Sequence, residues 1–295
     1  MRKWYHDYGL QARMILTMFL LAVVYLFFLA VLWAYGGVGT YGLVVFAGIF
    51  LFIQFFFSDR LVLWSMGGRI VSEQEEPRLH ETVARLCAIA DLPKPKIAVV
   101  DSDVPNAFAT GKSKGSAVIA VTTALKQRLS QPELEAVLAH ELSHVKNRDM
   151  VVITIASFLS TVAALLVRNM LFFGMGEDRE RRGAGAAIII WIVSIVVWIL
   201  SFLLIRALSR YREFSADRGS AIITGRPSYL ASALMAISGA MERVPSRDLR
   251  EVEAMNAFFI VPAISGEAIM ELFSTHPSVE ARIRALERME REMEF

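Results

Sequence analysis

His140, Glu141 and His144 stand in the order His-Glu-x-x-His within SQPELEAVLAHELSHVKNRD, the stretch from Ser130 to Asp149. Residues four apart on a helix lie one turn above each other on the same face, so these two imidazoles can converge on one ion, for which zinc is the expected identity. Glu141 is turned about 100° from His140 at the helical period. That direction suits a general base acting on metal-bound water rather than a third ligand. The metal lowers the water's pKa and the glutamate takes its proton. The metzincin extension is absent, because Asn147 and Met150 stand where glycine and histidine would be needed. A third ligand must come from elsewhere in the chain.

The motif needs a helix, and the residues before it supply a start signal. Ser130 can cap the first free N–H groups, Pro132 sits where no donor is needed, and Glu133 can reach back to the cap. For the third ligand, the run RALSRYREFSADRGSA (Arg206 to Ala221) continues a 22-residue apolar segment, Ala184 to Ile205, with no helix breaker before Gly219. At a rise of about 1.5 Å per residue, Glu213 lies about 12 Å beyond the apolar end, and His144 and His140 lie about 9 and 15 Å before Met150, where another apolar run begins. Two antiparallel helices leaving one membrane face would present all three at the same height, giving two histidines and a carboxylate with an open fourth position. Asp217, four residues after Glu213, shares its face and could accept a hydrogen bond from the far nitrogen of a ligand histidine. The plainer reading of Glu213 is a solvated partner of Arg210 or Arg212, and Asp149 and His276 are rival ligands. His6 and His80 are expected at the surface.

Composition places part of the chain in a membrane. Of 295 residues 55% are hydrophobic and 20% charged, with a mean hydropathy of +0.47. The net charge of +2, from 31 basic and 29 acidic residues, leaves no nucleic-acid footprint. The single cysteine, Cys87, excludes an internal disulfide and reads as a small core residue in a reducing compartment. Met14 to Ala34 carries no charge over 21 residues and reads as an uncleaved anchor, and Thr40 to Phe57 reads as a second span. Arg2, Lys3 and Arg13 before the pair and Arg60 and Arg69 after it place both ends of this hairpin in the cytoplasm. Met150 to Val167 continues the motif helix as a third apolar run, and Ala184 to Ile205 is the fourth. The charge-balanced EDRERR between them leaves open whether these two cross the bilayer or dip into it.

The expected fold is α+β and mostly α: a polytopic membrane protein with about four hydrophobic helices and a zincin-like cytosolic catalytic domain with a small β-sheet. Its parts are an N-terminal transmembrane hairpin (1–58), a first part of the catalytic domain with the motif helix (59–149), a second hydrophobic hairpin (150–205) and a second catalytic part (206–295). Pro77 to Ala90 has helical periodicity, and PKPKIAVVDS reads as entry to a strand. NAFATG (Asn106 to Gly111) and SAVIAVTTAL form a hairpin turned at GKSKG, the second strand leading into a helix. An exposed edge of such a sheet could pair with an extended substrate backbone, or Asn106 could merely close a turn. Tyr229 to Met241 is a short helix, Glu242 to Gly266 a loop near the cleft, and the proline-marked helix after His276 ends the chain. His276 could donate to a developing oxyanion or sit at the surface beside the cap.

With HELSHVKNRD, EFSAD, NAFATG and THPSVEARI in the chain, and hydrophobic hairpins before and between the main motifs, the sequence resembles HtpX-type membrane zinc metalloproteases along essentially its whole length. The mitochondrial inner-membrane and CAAX prenyl proteases are related families, the latter with more spans. The resemblance implies that His140, His144 and Glu213 bind one zinc ion, that Glu141 is general base and acid, and that Asp217 supports a ligand. It also implies that His276 lies near the scissile carbonyl and that the strand of Asn106, Ala107, Phe108 and Ala109 holds substrate. The family degrades misfolded or damaged membrane proteins, a stress-response and quality-control task, at a cytosol-facing site of the cell membrane.

Two other readings stand beside this one: a CAAX-type prenyl-protein endopeptidase, and a non-catalytic membrane scaffold with structural zinc. A structural site would be closed by a fourth protein ligand. Proteolysis inside the bilayer is disfavoured, because Gln131, Glu133, Glu135, Lys146, Arg148 and Asp149 around the motif are expensive to bury in lipid. Protein substrates and the lipid bilayer are the expected partners, and the sequence fixes no oligomeric state.

Overall fold

The computed structural model describes residues 8–35, 66–173, 184–241 and 276–293, together with 41–42, 44–45, 48–49, 52 and 63–64. Two compact units emerge. One comprises 1–7, 57–151 and 209–295, and the other 8–56 and 152–208.

The first unit is built on a four-stranded sheet, β1 (Gly68–Ile70), β2 (Lys96–Val100), β3 (Ala107–Thr110) and β4 (Val118–Thr122), in the order β1-β2-β4-β3. β2 and β4 are parallel, and the two outer strands are antiparallel to their neighbours. The hairpin at GKSKG thus forms as expected, between β3 and β4. It closes at Gly111, whose φ is +131° and where a Cβ would come within 2.8 Å of the Ala117 backbone.

Side chains alternate across the sheet with the period of two that a strand imposes. Ile97, Ile119, Val121 and Ala107 join the core shared with the helices, while Ala98, Val100, Phe108, Val118 and Ala120 form a second cluster on the opposite face. Helix α1 (Tyr8–Tyr35) belongs to the other unit, and the helices on the first face are α2 (Pro77–Ala90), α3 (Thr123–Arg128) and α4 (Gln131–Asn147). α4 carries the His-Glu-x-x-His motif. It starts as its sequence dictates, with the Ser130 N–H and hydroxyl both donating to Glu133, at 2.9 and 2.7 Å. Leu134, Val137, Leu138 and Leu142 anchor it in the core.

The motif helix does not run on into the third apolar segment as its sequence suggests. Arg148 adopts a left-handed conformation (φ 56°), its N–H closing onto the His144 and Val145 carbonyls, and a separate helix α5 (Asp149–Phe173) begins. No glycine or proline marks this break. α6 (Ala184–Thr224) is one unbroken helix of 41 residues, and its last turns, from Ser209, lie in the first unit. α7 (Pro227–Met241) and the terminal α8 (Val279–Met293) complete that unit. Glu290 of α8 accepts from the Ser228 N–H at 2.8 Å and its hydroxyl at 2.9 Å, tying the two helices at the start of α7.

In the second unit α1 packs with the apolar parts of α5 and α6. Phe28, Leu32, Val162, Ala163, Leu166 and Val197 form its core, and the Tyr25 hydroxyl donates to the Ala156 carbonyl. Large apolar side chains also face outward, among them Ile15, Phe19, Leu26 and Trp33. A helix apolar all round belongs in the core of a large protein or in a membrane. Among the described residues three helices are long and apolar enough to cross a membrane: Tyr8–Tyr35, Val151–Arg168 and Ile188–Thr224. The expected second span, the EDRERR loop and the loop of Glu242 to Gly266 lie outside the described residues for all or most of their length.

Candidate metal centre

Helix α4 brings His140 and His144 onto one face, and their Nε2 atoms stand 3.1 Å apart. Across from them Glu213 of α6 sets Oε1 at 3.4 Å from His144 Nε2 and Oε2 at 3.6 Å from His140 Nε2. Metal–nitrogen bonds of about 2.0–2.1 Å in tetrahedral geometry give ligand–ligand edges of about 3.3–3.4 Å. The three observed separations bracket that value. Among the described residues this group of two imidazoles and one carboxylate has the ligand atoms and spacing to hold a metal ion. The set fits a single ion bound by three protein atoms with one position open.

What aims the two imidazoles is a buried carboxylate and arginine behind each. His144 turns Nδ1 to Asp149 Oδ2 at 2.6 Å, and Asp149 Oδ1 in turn lies 2.9 Å from Arg212 Nε. His140 turns Nδ1 to Asp217 Oδ1 at 3.0 Å, and Asp217 is gripped by Arg282, from Nε to Oδ2 at 2.9 Å and from Nη2 to Oδ1 at 2.5 Å. A carboxylate at Nδ1 fixes the proton there and leaves the Nε2 lone pair for a metal. Each arginine supplies the positive charge that makes a buried carboxylate tolerable.

Asp217 was expected in this position from its spacing to Glu213. From the sequence Asp149 reads as a rival ligand; in the structure it supports His144 instead. Arg212 and Arg282 were not singled out as site residues. The signal for Arg282 is its place beside Ala285 and Leu286 on the buried stripe of an otherwise charged helix. Asp149 becomes available because the chain breaks at Arg148, so the first residue of α5 reaches back toward His144.

Glu141 is buried one position beyond His140. Burial pushes its carboxyl above the ordinary value, and the imidazoles of His140 and His144 and the Ala109 N–H, which donates to it, pull the other way. For Arg282 burial alone would weaken the charge, but Asp217 outweighs it and the guanidinium is held above its usual value. His276 is buried with its Nδ1 3.3 Å from Glu213 Oε2, so its ring lies against the ligand set. His80, expected at the surface, is half-buried with Nε2 3.1 Å from the Val71 carbonyl.

The strand of Asn106 to Ala109 runs along the open side of the sheet. Asn106 pairs with β4 through its backbone: its carbonyl accepts from Thr122 N–H at 2.9 Å, and its own N–H donates to the Thr122 hydroxyl at 2.8 Å. Hydrogen-bonded and open pairs alternate along an antiparallel ladder. Phe108 therefore points its backbone at Ala120, while Ala107, which is buried, and Ala109, whose N–H donates to Glu141, direct theirs away from β4. The side chain of Phe108 lies in the second cluster, away from α4. Alanine at 107 and 109 keeps the face toward the motif helix thin enough for Glu141 to reach the strand.

Peptidase family M48 matches residues 73–290 of the chain. The chain is 64% identical to "Protease HtpX homolog 2" of Methanosarcina acetivorans over 99% of both proteins, and 60% identical to "Protease HtpX homolog" of Moorella thermoacetica over 98% of this chain and 97% of that one. The crystal structure of S. mikatae Ste24p shares the fold, with a TM-score of 0.52 at 18% identity over 94% of this chain and 66% of that one.

Proposed function

The chain belongs to peptidase family M48, a membrane metalloprotease of the HtpX kind, and on that premise we propose that it is a zinc endopeptidase that cuts misfolded or damaged membrane proteins. The observation that carries this reading is the meeting of two Nε2 atoms at 3.1 Å with the Glu213 carboxylate and with Glu141 alongside. Zinc is the ion such a donor set favours, since two imidazoles and a carboxylate with an open fourth position are its usual catalytic ligands.

In this reading His140, His144 and Glu213 hold the ion. When bound, it supplies a Lewis acid for the scissile carbonyl and lowers the pKa of the attacking water. Glu141 takes the water proton and hands it to the leaving amine. Its burial suits that duty, since it raises the carboxyl and a base needs a pKa raised toward the working pH. His276, beside Glu213, donates to the oxygen on which charge develops. Asp149 and Asp217 keep both imidazoles in the ligand tautomer. The stretch Asn106 to Ala109 receives the substrate as an added strand, with the outward backbone groups of Ala107 and the Ala109 carbonyl as partners. Main-chain pairing is indifferent to sequence, which supports a role on unfolded substrates of many kinds. The basic residues Arg2, Lys3, Arg13, Arg60 and Arg69 flanking the first hydrophobic pair support a multi-pass protein of the cell membrane with its site toward the cytoplasm.

The direct test is Glu141→Gln in the purified protein, with bound metal and cleavage of an unfolded membrane substrate measured side by side. We expect the metal retained and the rate down by at least about 10²- to 10⁴-fold. Cleavage at the wild-type rate in that variant would refute the mechanism.

A further inference from the structure

The helical period sets the side of α4 from which Glu141 leaves, but its carboxylate then hangs on several rotatable bonds, and the helix alone does not aim it. A donor from another element does. The buried carboxylate accepts the backbone N–H of Ala109, in the strand β3.

The direction of that N–H follows from the ladder. Asn106 and Phe108 turn their backbone groups to β4, so Ala109, one residue further on, turns its own to the opposite side. Helix α4 packs against β3, and Ala109 and His144 line one cleft, so this part of the strand lies beside a ligand histidine.

The donor is also held still. At its start the strand is clamped by Asn106, which both donates to and accepts from Thr122, at 2.8 and 2.9 Å. Thr122 is itself fixed, since its hydroxyl accepts from the Leu125 N–H at 3.3 Å and caps α3. After its end, Gly111 closes on the Ala117 backbone, and the Ser113 N–H donates to the Ser116 hydroxyl at 3.1 Å. Between these clamps Ala109 pairs with the fully buried Ile119. A donor fixed in this way needs no reorganisation at the moment of reaction.

We propose that the Ala109 N–H is a positioning group for the general base: it holds one oxygen of the Glu141 carboxylate and leaves the other turned to the attacking water. The proposal rests on the protease reading and adds a residue to its machinery. In the step that it serves, a water O–H bond breaks, the proton passes to the second Glu141 oxygen, and the electron pair forms the new bond to the scissile carbonyl carbon. The Ala109 N–H keeps its own proton throughout. Its contribution belongs to the chemical step and not to peptide binding, and so to kcat.

The experiment deletes the N–H in the full-length, zinc-loaded protein by two routes. Lactic acid in place of Ala109 turns the peptide bond into an ester, and Ala109→Pro removes the hydrogen while keeping an amide carbonyl on Phe108. Neither takes a donor from the ladder with β4, because this N–H points away from it. We expect kcat to fall about 10- to 100-fold in both, with zinc content retained and KM moved by less than about twofold. Lower thermal stability with kcat intact would make the bond a mere tie between strand and helix and would overturn the proposal. So would a raised KM at unchanged kcat. Hydrogen exchange at the Ala109 amide, resolved to the single residue by mass spectrometry, reads the contact without catalysis. Exchange should be slow in the wild type and in Glu141→Gln, whose side-chain oxygen still accepts, and at least about tenfold faster in Glu141→Ala. Equal exchange in the wild type and Glu141→Ala would overturn the proposal. If the wild type cuts nothing, the protease reading fails, and the exchange still decides whether Ala109 holds Glu141.

Discussion

Arg282 grips Asp217 by two hydrogen bonds, at 2.9 and 2.5 Å, sixty-five positions apart in the chain and with both side chains buried. Asp217 passes that hold to Nδ1 of His140 at 3.0 Å. The C-terminal helix thereby takes part in aiming a metal ligand that lies on the motif helix.

Removing the guanidinium strips the charged, buried Asp217 of its cationic partner and leaves it facing His140 Nδ1. Arg282→Ala should destabilise the protein by about 3–5 kcal/mol and weaken metal binding by about 10- to 100-fold. Arg282→Lys keeps the charge but not the planar two-point fit, and should recover only part of both. Thermal unfolding and competition with a metal chelator check the two quantities. Unchanged metal affinity in Arg282→Ala would mean that Asp217 needs no partner to orient His140.

The second relay makes the parallel prediction for His144. Asp149→Asn keeps the shape but loses the charge facing Nδ1, and should lower metal affinity by about 10- to 100-fold with the fold intact. Because Arg212 acts through Asp149, a double-mutant cycle between them should show a coupling of about 0.5–3 kcal/mol in metal-binding free energy. Additive effects would break the relay.

These relays mark the limit of what the sequence makes legible. His140 and His144 share a face because helical period decides it, and Glu213 meets them although the break at Arg148 interrupts the continuous helix that the height comparison assumes. The short apolar runs KIAVV and SAVIAVT, bounded by proline and by turn residues, give strands, and the glycines around GKSKG give their turn. The parallel pairing of β2 with β4 is a long-range choice that no local pattern encodes, and β1, three residues long, is too short to show a period. Arg148 takes a left-handed turn without a glycine because the contacts of Asp149 with His144 and Arg212 compensate for it. Arg282 looks like one more charge on a charged helix until its partner sixty-five residues away is known.

Close contact between α4 and α6 sets how near Glu213 comes to the histidines. A Cβ on Gly219 would lie 2.2 Å from the Ser143 hydroxyl and 2.7 Å from its Cβ, and the Ser220 hydroxyl donates to the Ala136 carbonyl at 2.6 Å beside it. Gly219→Ala should therefore cost about 1–3 kcal/mol by overpacking and loosen the metal site, and Ser143→Gly in the same chain should restore much of the loss. Thermal unfolding of the two single variants and the pair tests this, and failure of the second change to compensate would point to another cause.

Burial raises the Cys87 thiol to about 11. At pH 8 only about one thiol in a thousand is then ionised, and the reactive form is the thiolate. The native protein should resist alkylation at pH 8 and label rapidly once unfolded, with native labelling increasing as the pH approaches 11. Fast labelling of the native protein at pH 8, followed by mass, would contradict this placement of Cys87 in the core.

The central claim is that Glu213 closes the metal site begun by His140 and His144. The measurement that tests it most directly is metal content per chain of the purified wild type and of Glu213→Ala, paired with cleavage of an unfolded substrate. The account predicts about one zinc and activity in the wild type, with both lost in the variant. Zinc and activity retained in Glu213→Ala would contradict it and pass the third ligand to another residue.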